Sequence, residues 1–274
     1  MSLINRLAAF RPLNQIAHRA VNGLPFSLRR MLYNLIRDGI VHSPPFKGVH
    51  ARFEDVEIKH PSAEAAETFA RAGLSLKRED SAGLVVLRRS HSFLPLAVAM
   101  LAKRGQALRI IDFGGSGGID YSFVKETVGA EVEYLIVEMP TICAAGRKLW
   151  PNEPQLSFSE SLPTEGEFDI VYSWSAIQYV PDPLGLLVQF TRYKPRVVLI
   201  LQSPFSRHAF VRAQVQGAVC LPHWVSSLPE AERVMGERGY RLAMRATNEI
   251  EMNVDNYDRD HRVSHMADLV FIRE

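Results

Sequence analysis

The chain has 274 residues, 47% of them hydrophobic and 23% charged, with a formal net charge of +2. This is enough apolar material for one large core, and the near-neutral balance argues against a nucleic-acid partner. Cys143 and Cys220 stand far apart and form no Cys-x-x-Cys pair, which argues against a disulfide framework and a thiolate metal site. No run approaches the roughly eighteen apolar residues of a membrane span, so a cytoplasmic protein without stable membrane insertion is expected.

Residues 3–38 carry apolar residues at helical spacing, with Leu3, Leu7 and Phe10 on one face and Leu28, Leu32, Leu35 and Ile36 on a later one. Arg6, Arg11, Arg19, Arg29, Arg30 and Arg37 face only Asp38 here, so the pattern predicts basic amphipathic helices that cap an acceptor site or form a homodimer contact, with a membrane surface as the alternative. Residues 39–60, with Pro44 and Pro45, read as an irregular connector, which places an N-terminal extension over 1–60 and the main domain over 61–274. Residues 61–70 predict a helix with acids near its start, and residues 93–101 predict the helix that leads into the main sheet. Leu84–Leu87 is a short apolar run that fits either a strand or a helix.

From Leu108 the alternation is regular. Strands are expected at 108–113, 133–138, 156–158, 168–172 and 196–201, with helices starting near 119, 140 and 183. A helix over 228–238 closed by Gly239 precedes two final strands at 240–246 and 268–272. The pattern predicts an α/β sandwich: a mostly parallel, seven-stranded sheet with an antiparallel C-terminal strand. Residues 203–227 interrupt the rhythm and are expected to form a lid.

The most informative stretch is Asp112-Phe-Gly-Gly-Ser-Gly-Gly118, an acid at a strand tip followed by four glycines in five positions. Glycines let main-chain N–H groups approach a ligand with no intervening Cβ, and the following helix adds its positive end. Glu138, at the tip of the next strand, is placed to accept from the vicinal hydroxyls of a ribose. A dinucleotide fingerprint requires a third glycine where Asp120 stands; that acid opposes a pyrophosphate but suits an amino group. Ser159 and Glu160 are placed to meet an adenine edge, and Ser173 and Trp174 to line the methionine side of the ligand.

These features resemble the class I, Rossmann-like S-adenosylmethionine-dependent methyltransferases. Within that class the chain is similar to a bacterial methyltransferase family through Asp112-Phe-Gly-Gly115 with Gly118, Val137-Glu138-Met-Pro140, Gly146-Arg147, Leu156-Ser-Phe158, Ala176 to Pro183, Ser203-Pro-Phe205, His223-Trp224 and Gly239-Tyr240. The resemblance starts near Phe46 and implies S-adenosyl-L-methionine as cofactor, with Asp112, Gly114, Gly115, Ser116 and Gly118 at the methionine portion, Glu138 at the ribose and the Ser159–Glu160 region at adenine. Ser116 departs from the broader Asp-x-Gly-x-Gly-x-Gly pattern, which has glycine there.

Methyl transfer requires a nearly linear approach of nucleophile, methyl carbon and departing sulfur, so positioning carries much of the catalysis. His208 and His223 are the candidate general bases, and Tyr179 the candidate orienting group. Arg207 and Arg212 are read either as receivers of an anionic acceptor or as surface charge. No spacing of His, Cys, Asp or Glu predicts a metal site. The expected activity is methylation of a small-molecule or natural-product acceptor. The alternatives are a noncatalytic cofactor-binding assembly or regulatory subunit, and a nicotinamide-dependent oxidoreductase.

Overall fold

The computed structural model describes residues 45–274, apart from 61, 75–80, 82, 88, 217–218, 253 and 255. The N-terminal helices expected over 3–38 lie outside the described residues.

The described chain begins with strand β1 (Phe46–His50), then helices α1 (Ala63–Leu74) and α2 (Arg89–Leu101). The alternating part follows: β2 (Leu108–Phe113), α3 (Ile119–Thr127), β3 (Val132–Val137), α4 (Pro140–Leu149), β4 (Leu156–Ser159), β5 (Ile170–Trp174), α5 (Pro183–Thr191) and β6 (Val197–Ser203). Strands β7 (Phe205–Ser206), β8 (Phe210–Gln216) and β9 (Val219–Ser227) come next, then α6 (Leu228–Gly236), β10 (Tyr240–Glu251) and β11 (His265–Arg273).

The main sheet has the order β10-β11-β6-β5-β2-β3-β4. Strands β2 to β6 run parallel, whereas β11 is antiparallel to both β6 and β10. Period two sends successive side chains to opposite faces. Ile111, Val171, Val198 and Ile200 pack with Leu187 and Phe190 of α5 and Met235 of α6. Their neighbours Ile110, Ile170, Leu199 and Leu201 pack on the other face with Leu94 and Val98 of α2 and Val124 of α3. Both faces are covered, which explains the continuous apolar run of β6.

The helices start where the sequence supplies caps. Asp182 accepts from the Gly185 N–H at 2.8 Å ahead of Pro183, and Ser227 accepts from the Glu230 N–H at 3.3 Å. Gly239, at φ +80°, follows the end of α6 in the left-handed conformation expected of a residue that ends a helix.

Two stretches differ from expectation. Residues 84–87 form neither a strand nor a helix but hold a single bridge at Val85, and Leu84 and Val86 are exposed. The connector expected over 39–60 contains β1, which pairs antiparallel with β8 through Phe46 and Gln214. Strand β8 in turn pairs antiparallel with β9, so the stretch expected as a lid supplies three strands, and β1 the fourth, of a second sheet in the order β1-β8-β9-β7. Among the described residues, no helix is long and apolar enough to cross a membrane.

Candidate functional site

The glycine turn leaves β2 and enters α3. Gly114 and Gly118 have φ of +76° and +89°, conformations that cost an L-residue strain. Close contacts also exclude side chains here. A Cβ on Gly114 would lie 2.2 Å from the Ala176 Cβ, and one on Gly117 would lie 2.3 Å from the Ala70 carbonyl oxygen. Ser116 occupies φ +51°, so the residue that departs from the glycine pattern takes the left-handed conformation glycine would have taken. Its hydroxyl is buried without a partner.

Glu138, at the tip of β3, folds over this turn. One carboxylate oxygen accepts from the Ser116 N–H at 3.2 Å and the other from the Met139 N–H at 2.8 Å. Each oxygen keeps a second acceptor site. Burial pushes its pKa up, against the opposing effect of the two N–H groups. The glycine turn and the acid are thus joined in one receptacle.

Asp112 is turned inward. It is fully buried, accepts from the Tyr134 hydroxyl at 2.8 Å, and has its second oxygen without a partner. Burial, with the charge of Asp120 added, raises its pKa well above the usual carboxylate range although the tyrosine bond opposes this. Asp120 is engaged as well, its carboxylate meeting His91 Nδ1 at 2.7 Å with both side chains buried. His91, on α2, was not expected in the site. Its ring stacks on Trp174 with centroids 4.6 Å apart, and so carries Trp174 into the same cluster. A lone histidine on a mostly apolar helix carries no signal of an aspartate 29 positions away.

The remaining cofactor candidates divide. Ser173 is buried and donates to the Phe113 carbonyl at 3.0 Å, which fastens β5 to the tip of β2. The Ser159 hydroxyl donates to the Ser161 carbonyl at 2.7 Å and shapes its own turn, and Glu160 is exposed.

The segment after β5 links the two sheets. Ala176 abuts Gly114, and three residues later the Tyr179 ring meets the His223 ring edge-on at 5.4 Å. The Tyr179 hydroxyl donates to Gln214 Oε1 at 2.6 Å, and burial raises its pKa. Gln178, between them, is buried and accepts from the Ser203 hydroxyl at 3.2 Å. Ser175 and Gln202, with φ of +54° and +49°, place two further left-handed residues around this link.

His223 and Arg212 face each other as a cross-strand pair on β9 and β8. The Arg212 Nε–H donates to His223 Nδ1 at 3.3 Å. Burial, then the neighbouring guanidinium, depresses the His223 pKa well below its ordinary value, so the ring is neutral at neutral pH. His208 lies apart from the pair on an exposed turn that its backbone builds with Ser206.

Residues 85–248 match a family described as a methyltransferase domain. No curated protein matches the chain. Among solved structures, a protein from Galdieria sulphuraria assigned as a sarcosine dimethylglycine methyltransferase is 10% identical, with 76% of this chain and 98% of that one covered at a TM-score of 0.50. An assigned S-adenosylmethionine-dependent methyltransferase from Listeria monocytogenes is 9% identical over 68% of this chain and 98% of its own, again at 0.50. The [4+2]-cyclase SpnF is 10% identical over 80% and 98%, with the same score.

Proposed function

The chain belongs to the methyltransferase-domain family and is an S-adenosylmethionine-dependent enzyme, and on that premise we propose that it methylates a small-molecule acceptor held between the glycine turn and the second sheet. The observation that carries the reading is Glu138, a partly buried carboxylate fixed over the glycine turn with an acceptor site still open on each oxygen. Two open acceptor sites match the two hydroxyls of a ribose. Among the described residues the N–H groups of Gly115 and Gly117 have no protein acceptor, and the first turn of α3 adds its positive end. Glu138, the carboxylate that folds over the turn, suits a cationic ligand better than a pyrophosphate.

When bound, the cofactor would supply an activated methyl group to the acceptor nucleophile. The protein's part is positioning. We assign the methionine portion to the turn from Gly114 to Gly118, the ribose to Glu138, and the adenine side to the Ser159–Glu160 segment. Asp112 and Ser173 act through the backbone that they hold rather than by touching the ligand. Tyr179 orients the acceptor side through Gln214. His208 lies apart on an exposed turn, so a proton released by the acceptor passes to water.

SpnF has this fold and is described as a cyclase, so the fold alone does not carry the reaction. Calorimetric titration with S-adenosylhomocysteine, NAD and NADP tests the reading. Selective binding of S-adenosylhomocysteine is expected, and equal or tighter NAD binding would overturn it.

A further inference from the structure

Arg212 is wholly buried, and among the described residues it has no counter-ion. A guanidinium has five N–H donors and no acceptor. Here Nε–H goes to the His223 ring, and one terminal nitrogen reaches only the Met252 sulfur at 3.5 Å. The other terminal nitrogen has no partner. The Phe46 ring lies 3.6 Å from Cζ and offers a cation–π face, which holds the plane of the group without satisfying its hydrogens. The groups that bear on its charge are the phenols of Tyr257 and Tyr179, and burial brings its pKa down to about 10.

The neighbours are donors as well. Because His223 Nδ1 accepts from Arg212, the neutral ring carries its proton on Nε2, and that nitrogen is buried without a partner. The Tyr257 hydroxyl is a third buried group without a partner. It belongs to the same apolar cluster as Phe46, whose ring covers the guanidinium. Among the described residues, then, one cation and two neutral groups that each have a proton to give lie buried on neighbouring elements without a hydrogen-bond partner for it and without a carboxylate. Unmet donors of this kind are costly in a low-dielectric interior, and their common complement is an oxyanion.

We infer that Arg212, His223 and Tyr257 form the seat for an anionic group, a carboxylate or a phosphate, carried by the acceptor molecule. The inference rests on the methyltransferase reading and specifies its substrate class. It also changes the part played by His223. In this tautomer the ring presents a proton rather than a lone pair, so it grips the acceptor and does not deprotonate it. Tyr179, edge-on to that ring, connects the seat to the turn at Gly114 through residues 176–179.

The test uses the full chain, with inorganic phosphate and acetate as probes and chloride at matched ionic strength as control. Titration calorimetry is run on wild type, Arg212→Met and Tyr257→Phe, each with and without saturating S-adenosylhomocysteine. Arg212→Met removes the unpartnered terminal nitrogen together with the Nε–H bond to His223, whereas Tyr257→Phe removes only an unpartnered hydroxyl and keeps every ring contact if Arg212→Met folds poorly. Phosphate or acetate is expected to bind wild type, at least tenfold more weakly to Arg212→Met and about threefold to fivefold more weakly to Tyr257→Phe. The tighter of the two probes identifies the anion. Absence of binding to wild type beyond chloride, or equal binding by both variants, overturns the seat. A tenfold loss of S-adenosylhomocysteine affinity in Arg212→Met would assign the arginine to the methionine carboxylate and overturn it too. Failure of S-adenosylhomocysteine to bind wild type would instead strike the cofactor reading, with the anion titrations still readable on the free protein.

Discussion

The glycine-turn crevice and the β8–β9 sheet handle buried charge in opposite ways. Around the turn the buried groups are carboxyls, and each has a protein partner: Tyr134 for Asp112, His91 for Asp120, two N–H groups for Glu138. On the second sheet the charge is positive, and no carboxylate among the described residues answers Arg212. An acidic crevice complements a sulfonium, whereas an unanswered guanidinium complements an anion. The acids of the first region are finished with partners from the protein, although Glu138 keeps an acceptor site open on each oxygen; the unmet groups of the second are donors.

The largest expected effect breaks the finished side. His91→Ala leaves Asp120 buried and unpaired, which costs about 4 kcal/mol and lowers the melting temperature by about 10 °C. Adding Asp120→Asn should recover much of that loss, and a single variant that melts like wild type would remove the pair from the account. Glu138→Ala should weaken S-adenosylhomocysteine about 100-fold in calorimetry, or about 2.8 kcal/mol.

The same residue gives a pH dependence with a definite sign. Only the ionised carboxylate accepts from both ribose hydroxyls, and burial raises its pKa above the ordinary glutamate value of about 4.3. Affinity should therefore fall as pH drops through that raised value, starting at higher pH than an exposed glutamate would allow. Titrations in neutral and mildly acidic buffer should show the fall in wild type and a flat profile in Glu138→Ala.

Arg212→Met is the counterpart to His91→Ala. It removes a buried charge that no carboxylate among the described residues balances, so its stability in chloride should stay within about 1 kcal/mol of wild type or rise. A loss as large as that of His91→Ala would mean that the two regions do not differ. Ser116→Gly should have the smallest effect. It relieves a left-handed serine and deletes an unpartnered hydroxyl, a gain of about 1 kcal/mol seen as a slightly higher melting temperature.

Much of the crevice was legible because its signals are local. The spacing from Asp112 to Gly118 and on to Glu138 lies within one βαβ unit, and the structure brings turn and acid together. The inward turn of Asp112 and Ser173 was not legible, since it depends on Tyr134 and Phe113 of neighbouring strands. His91 and the pairing of β1 with β8 were missed for the same reason, their partners being far along the chain. Arg212 could be read as a cation, and only the packing of Phe46 and Tyr257 around it distinguishes a buried group from surface charge.

By itself, then, the sequence determined the alternating sheet, the helix starts and the glycine-and-acid receptacle, because periodicity and capping are set by residues within a turn or two of each other. Tertiary structure decided which polar groups acquire partners and which remain without them. Hydrogen-bond satisfaction depends on groups brought together from distant strands and helices, and nothing in a residue's immediate neighbours reveals it.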